Sequence, residues 1–234
     1  MIQNIFKLFS RQKKYIDINI NVIKQTDNTY LIQLFENRMG LPKLIKLYQS
    51  SQMEHQRNDR LTADVGMSRE KDLIAYMKYI LGETVNYNID NEKEEDVICD
   101  GRNISIKHSS VKTLSNASIK LQWTENKEKQ TKFIETFKFT CDLLIVYVRF
   151  KETGGEIEIM YCKVNVLNEL IKEFRETNEY VFKTRENSNG RGIEFNRKFF
   201  EAMIKNCDYH VKILFTGLKT NALDAISRRL NELY

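Results

Sequence analysis

The chain of 234 residues carries 37 Lys and Arg against 32 Asp and Glu, a net charge of +5, and 41% of its residues are hydrophobic. This balance excludes wholesale disorder, and the single Pro and 9 Gly exclude Pro-rich linkers and collagen-like tracts. No apolar run approaches the roughly 20 residues of a membrane-spanning helix and no secretory signal pattern begins the sequence, so we expect a soluble, cytoplasmic protein.

The first quarter of the chain predicts short helices and one strand. Ile2, Ile5, Phe6 and Phe9 have helical spacing, which predicts a helix that packs on the core or on a second subunit; a membrane-surface helix is the alternative. A strand is expected at 18–23 and helices at 29–37 and 41–49. Residues 50–64 are polar and weakly periodic, which predicts a loop or a frayed helix.

From residue 66 the signals are stronger. A helix is expected from Ser68, as its N-cap, to Gly82 just beyond its end, and Asp100-Gly101 predicts the turn of a β-hairpin over 96–110. Further strands are expected at 117–123, 141–150, 156–163 and 210–215, and helices at 125–138, 164–174, 196–205 and 222–233. This succession predicts one α/β domain with a central mixed β-sheet flanked by helices.

The cysteines and histidines carry no metal-binding pattern. Cys99, Cys141, Cys162 and Cys207 are scattered, and none has zinc-ligand spacing to another or to a histidine. A zinc finger is therefore excluded, a Cys–His nucleophile has no support, and four reduced, buried thiols are expected.

The predicted hairpin brings an acid and an amine together. Outward from the Asp100-Gly101 turn, Asp96 faces Ser105, and side chains alternate along each strand. One face is therefore apolar, while Asp96, Ser105 and Lys107 share the other. Such a pair can serve metal-assisted hydrolysis, with the carboxylate holding a hard cation and the lysine orienting water. The simpler alternative is an exposed cross-strand ion pair of little energetic value.

The helix before the hairpin adds a second acid. Glu70 lies on the stripe that otherwise carries Ile74, Met77 and Leu81, and a carboxylate on an apolar stripe needs a partner. Lys107, or a cation held by Asp96, could be that partner. The alternative is an ordinary charge in the first turns of a helix.

A helix bearing Glu, then a hairpin with Asp on its first strand and X-X-Lys at the end of its second, resembles the PD-(D/E)XK nuclease superfamily, and within it the type II restriction endonucleases. The resemblance covers roughly residues 66–215. It implies that Asp96 and Glu70 bind Mg²⁺, with the Ile106 carbonyl as a further ligand, and that Lys107 is the catalytic lysine. It further implies a sequence-specific endodeoxyribonuclease that acts on double-stranded DNA as a homodimer.

On this resemblance the whole chain, 1–234, is a single nuclease domain. An N-terminal helical and loop part spans 1–64, the catalytic core spans 66–163, and 164–234 holds the DNA-recognition loop. Ser105 departs from the family, which most often has Glu or Asp there. Either Glu70 supplies the missing carboxylate, which we favour, or the site is weak or inactive. Asp100 is the alternative metal-binding Asp, although Asp-Gly is an excellent turn.

A polar, glycine-containing loop is the candidate for reading DNA bases. Arg favours guanine and Asn favours adenine, so a run of such residues suits base edges. The candidate residues are Asn187, Ser188, Asn189, Arg191 and Asn196. Lys120 and Gln122, expected on an exposed strand face next to the hairpin, are candidates for phosphate contacts. An ordinary polar turn and solvated side chains are the alternatives.

Two other functions compete with restriction. The first is a structure-specific or repair nuclease of the same superfamily, and the second is an inactive nuclease-like DNA-binding protein, which Ser105 keeps open. The recognition sequence, the cleavage position and the oligomeric state do not follow from the sequence.

Overall fold

The computed structural model describes residues 16–57, 62–87, 94–109, 119–122, 127–184 and 193–217. The helices expected at 2–9 and 222–233 lie outside these residues, as does most of the candidate recognition loop.

A seven-stranded mixed sheet forms the centre of the molecule. Its strands are β1 (Asp17–Lys24), β2 (Val85–Tyr87), β3 (Val97–Cys99), β4 (Arg102–Ser109), β6 (Asp142–Lys151), β7 (Gly154–Cys162) and β10 (Tyr209–Thr216). They lie in the order β1-β10-β7-β6-β4-β3-β2. Strands β4 and β6 run parallel, and the other neighbouring pairs run antiparallel.

A second, three-stranded sheet is not hydrogen-bonded to the first and packs against one of the two cores beside it. It contains β5 (Lys120–Gln122), β8 (Phe182–Thr184) and β9 (Ile193–Phe195), with β9 between the other two. The sequence predicts a strand at β5 but expects it beside the hairpin. That expectation is wrong, because β4 pairs on that side with β6 and β5 pairs antiparallel with β9. Local alternation of apolar residues identifies a strand and carries no information about its partner.

Helices cover both faces of the large sheet. They are α1 (Thr29–Phe35), α2 (Leu41–Arg57), α3 (Thr62–Leu81), α4 (Lys127–Thr136), α5 (Val164–Glu176) and α6 (Arg197–Asn206). Within the described residues, none is both long and apolar enough to cross a membrane. Strand β6 supplies Leu144 and Val146 to the core under α1–α3, and Leu143 and Ile145 to the core under α5 and α6. The predicted α/β fold, a central mixed sheet flanked by helices, is therefore confirmed.

The start of α3 corrects one expectation. Helix α2 continues to Arg57 and α3 begins at Thr62, so the described part of 50–64 is helical, the second of the two alternatives expected there, and Ser68 lies inside α3 instead of capping it. Where the second half of α2 meets the first half of α3, the contacts include polar ones: Ser51 Oγ donates to Asp72 Oδ2 over 2.5 Å, and Arg69 donates to Gln52 over 2.5 Å. The rest of the two helices meets in the apolar core, so only this polar part lacks an apolar periodicity to detect. The end of α3 is as predicted, with Gly82 at φ +65°.

The turn of the hairpin gives a test of the fold. Gly101 has φ +73°, so Gly101→Ala should lower the free energy of unfolding by about 1 kcal/mol. Gly66 is the matched control: it lies within α3, with nothing within 4 Å of an added Cβ, so Gly66→Ala should stabilise by about 0.5 kcal/mol. Urea denaturation measures both, and equal signs for the two substitutions would contradict the assigned turn.

Candidate functional site

The β3–β4 hairpin has the predicted register. Its cross-strand pairs are Val97–Ile104, Ile98–Asn103 and Cys99–Arg102. Asp100 and Gly101 have φ values of 50° and 73°, which suits the tight turn that follows the right-handed twist of a hairpin. The Asp96 N–H donates to the Ile104 carbonyl over 2.9 Å, just beyond the last paired residue of β3, and Ser105 Oγ lies 3.2 Å from Asp96 Oδ2, so Asp96 lies beside Ser105.

Asp96, Ser105 and Lys107 meet on one side of the hairpin. Lys107 Nζ lies 3.5 Å from Asp96 Oδ2, and Ser105 Oγ donates to the same oxygen over 3.2 Å. The side chains of Asp96 and Lys107 are 22% and 31% exposed, so solvent reaches the pair without surrounding it. The opposite face, with Val97 and Ile104, is buried in the core. The structure thus brings together the acid and the amine that the sequence places on one face.

The backbone of β4 adds two polar groups to this site. Alternate residues of a strand direct their N–H and C=O groups to the same neighbour, and the Ile104 carbonyl faces β3. Ile106 therefore faces the same edge, beyond the end of β3. Its N–H donates to Asp96 Oδ2 over 2.5 Å, and its carbonyl faces the side on which Asp96 lies. This placement is compatible with the expected role of the Ile106 carbonyl.

Glu70 interacts electrostatically with this pair from helix α3. Burial, and then the charge of Asp96, raises the pKa of its carboxyl to about 7, against the opposing charges of Lys107 and Lys71. Glu70 therefore lies within electrostatic reach of both Asp96 and Lys107. The site thus contains two acids and one amine, with the acids partly withdrawn from solvent.

Asp100, the alternative acid, lies elsewhere. It occupies the tip of the turn, is exposed, and its N–H donates to the Thr84 carbonyl over 3.2 Å. The turn separates it from Lys107 by the length of the hairpin, so the geometry favours Asp96.

A buried polar network behind the site escaped the sequence reasoning. Arg69, next to Glu70, is only 1% exposed, and it contacts Gln52. Tyr48 OH and His108 Nε2 are 3.0 Å apart, and the rings meet edge to face. Burial, with the charges of Arg69 and Lys107, lowers the pKa of His108 to about 3, so the imidazole is neutral. His108 thus packs against Tyr48 in the interior. Helical spacing of Arg69 with buried Leu73 and Tyr76 is the signal that could have located the network.

The cysteines match their prediction. All four are free and buried. Cys141 is the one nearest the site: burial, then the charge of Glu94, raises the pKa of its thiol to about 12. A thiol held protonated in this way is a poor nucleophile, which agrees with the absence of a Cys–His pattern in the sequence.

The structure describes only some of the candidate DNA-binding residues. Asn187, Ser188, Asn189 and Arg191 lie outside the described residues, between the antiparallel strands β8 and β9. Asn196 is the N-cap of α6, where its Oδ1 accepts from the Lys198 N–H over 3.0 Å. Of Lys120 and Gln122 only the backbone is described, in β5. Their contacts with DNA remain predictions.

Comparison with known proteins gives two matches. The family described as "Restriction endonuclease ThaI" matches residues 32–234. A solved structure described as "Restriction endonuclease in complex with substrate DNA" has the same fold, with a TM-score of 0.64 and 23% identity over 87% of this chain and 99% of that chain. No curated protein sequence matches.

The seven-stranded mixed sheet with helices on both faces is a restriction-endonuclease fold, and the class is that of the type II restriction endonucleases. Within that class, the chain belongs to the ThaI restriction endonuclease family. The resemblance noted from the hairpin and the helix glutamate is thereby confirmed at the level of the enzyme class.

The raised pKa of Glu70 predicts a pH-dependent stability. Between pH 4.5, its ordinary pKa, and about 7, the folded chain holds a proton that the unfolded chain has lost, so stability falls as pH rises through this window. Without divalent cations, Glu70→Gln should be more stable than the wild type above pH 7, by about 1 kcal/mol because solvent screens part of the charge, and should equal it below pH 4.5.

Urea unfolding at the two pH values measures this difference. Glu83→Gln, which changes an exposed acid just beyond the same helix, is the control and should alter stability little at either pH. A Glu70→Gln chain that is less stable than the wild type at high pH would contradict the burial of an unpaired acid.

Proposed function

We propose that this restriction endonuclease is a Mg²⁺-dependent endodeoxyribonuclease that cuts double-stranded DNA within a short specific sequence. The observation that carries the proposal is the 3.5 Å approach of Lys107 to Asp96 on a rigid hairpin, with Glu70 interacting with both. Family membership supplies the reaction class. The substrate DNA in the description of the similar structure belongs to that protein, and it supports DNA as the substrate here by analogy.

The donor set fits a hard divalent cation. Two carboxylates and a backbone carbonyl are all oxygen ligands, which Mg²⁺ prefers, and water completes its coordination in most enzymes. Burial, and then the charge of Asp96, raises the pKa of Glu70, and a cation beside the two acids would favour its ionised form. Asp96 and Glu70 would hold the ion, with the Ile106 carbonyl beside them. When bound, Mg²⁺ would polarise the phosphate and lower the pKa of a coordinated water.

The chain's own groups then orient the reaction. Lys107 is half-buried and anchored by Asp96, so its ammonium is held at a defined place where it can orient the attacking water and stabilise charge on the phosphate. Asp96 is itself fixed by Ser105 and the Ile106 N–H. The β-sheet keeps these groups in place without the entropy cost of ordering a loop.

Recognition of DNA would lie in the C-terminal part of the chain. The segment at 185–196 contains Asn, Ser and Arg side chains that suit base edges, and β5 offers Lys120 and Gln122 for phosphates. Two-fold symmetric sites match a two-fold symmetric protein, so we propose that the enzyme works as a homodimer.

Cleavage of a fully sequenced phage DNA tests this proposal. With Mg²⁺, the wild type should give discrete, reproducible fragments, and Lys107→Ala should lower the rate by at least about 100-fold while still shifting the DNA in a gel. Lys172→Ala removes the same charge from an exposed site on α5 and should cut normally.

The other outcomes identify the rival functions. Cutting only at ends or junctions would indicate a structure-specific or repair nuclease. DNA binding with no cleavage by the wild type would indicate an inactive DNA-binding protein. Equal cleavage by Lys107→Ala and the wild type would remove Lys107 from the mechanism.

A further inference from the structure

One oxygen of Asp96 accepts two hydrogen bonds and forms an ion pair. Ser105 Oγ lies 3.2 Å from Oδ2, the Ile106 N–H donates to it over 2.5 Å, and Lys107 Nζ lies 3.5 Å away. Across the part of the chain that the structure describes, no hydrogen bond or ion pair involves Oδ1. The carboxylate is therefore asymmetric: one oxygen is bound within the protein and the other is left for a ligand.

Ser105 donates a hydrogen bond to Asp96 and does not face solvent, where it could bind an ion directly. The residue is only 2% exposed, so its hydroxyl is withdrawn from water and directed to Asp96. A carboxylate at this position would instead repel Asp96 and require a cation between them. The serine thus keeps the Asp96 side chain ordered before any cation arrives.

We infer that Ser105 is a positioning residue, which holds Asp96 so that Oδ1 alone is available and the site binds a single divalent cation. The inference rests on the proposed function, which assigns the cation to Asp96 and Glu70. The common way for a carboxylate to bridge two ions uses both of its oxygens, and here Oδ2 already accepts two hydrogen bonds and pairs with Lys107.

The charge of the site supports one ion over two. Among the groups assigned to the ion, Asp96 and ionised Glu70 bring two negative charges and Lys107 one positive charge, so one divalent ion leaves these groups with a net charge of +1 and a second would raise it to +3. Glu94, two residues before Asp96, is engaged by Thr140 instead. Two-metal sites hold their ions only about 3.5–4 Å apart, where such repulsion is large unless further acids are present. Within the described ranges, no group of three or more His, Cys, Asp or Glu side chains could hold a metal.

Titration of the full-length, DNA-free chain with Mn²⁺ tests the inference, with free Mn²⁺ counted by electron paramagnetic resonance. The wild type should bind one ion per chain. Ser105→Ala should bind about tenfold more weakly, the usual effect of losing a group that orients a ligand. Ser109→Ala is the matched control, since Ser109 is a second buried serine on β4, and it should bind like the wild type.

A second variant tests the same inference through stability. Ser105→Asp adds a carboxylate beside Asp96, so without metal it should melt at a lower temperature than the wild type. It should also bind Mn²⁺ about tenfold more tightly and gain more in melting temperature when the ion is added.

The outcomes separate this inference from the proposed function. Asp96→Asn should abolish Mn²⁺ binding; if it binds like the wild type, the proposed metal site is wrong. If Asp96→Asn abolishes binding but Ser105→Ala equals the wild type, only the role of Ser105 is overturned. Two Mn²⁺ ions per wild-type chain, or none, would overturn the single-ion site.

Discussion

The register of one short hairpin is the constraint on which the candidate site depends. Because side chains alternate with a period of two, a slip of one residue between β3 and β4 would turn Lys107 into the core and expose Ile106. Asp100 and Gly101 prevent the slip, since their left-handed backbone conformations close the chain in two residues. The buried pairing of Val97 with Ile104 acts in the same direction, so turn and core specify the same arrangement.

Lys107 and Glu70 are held in place in different ways. Lys107 lies on strand β4, whose parallel neighbour β6 contributes side chains to the core on both faces of the sheet. Glu70 instead depends on how α3 lies against α2. Next to Glu70 that contact includes Arg69, whose charge is almost fully withdrawn from solvent. Buried polar contacts of this kind demand a specific geometry, which fixes the helix segment that carries Glu70.

The sequence could predict the geometry of the β3–β4 hairpin better than the details of the helices and the small sheet around it, because the hairpin is local. The hairpin is encoded by a turn and the strands on either side, so the positions of Asp96 and Lys107 follow from neighbouring residues alone. The start of α3 and the length of α2 could not be predicted, because the Ser51–Asp72 and Arg69–Gln52 contacts replace the apolar pattern. The partner of β5 could not be predicted either, since its pairing with β9 joins segments far apart in the chain. The sequence could predict that Asp96 and Ser105 lie opposite each other. It could not predict the hydrogen bond between them, because that bond depends on the side-chain conformations.

The state of the cysteines has a practical consequence for laboratory work. Burial raises the pKa of Cys99 and Cys141 to about 12 and that of Cys207 to about 11, and it raises that of Cys162 as well. Alkylating reagents attack the thiolate, which these residues rarely form at neutral pH. A single cysteine introduced on the surface, for example in place of Lys172, can therefore be labelled with a fluorophore while all four native cysteines stay in place. The labelled protein would allow DNA binding to be followed in real time by fluorescence, without replacing any native cysteine.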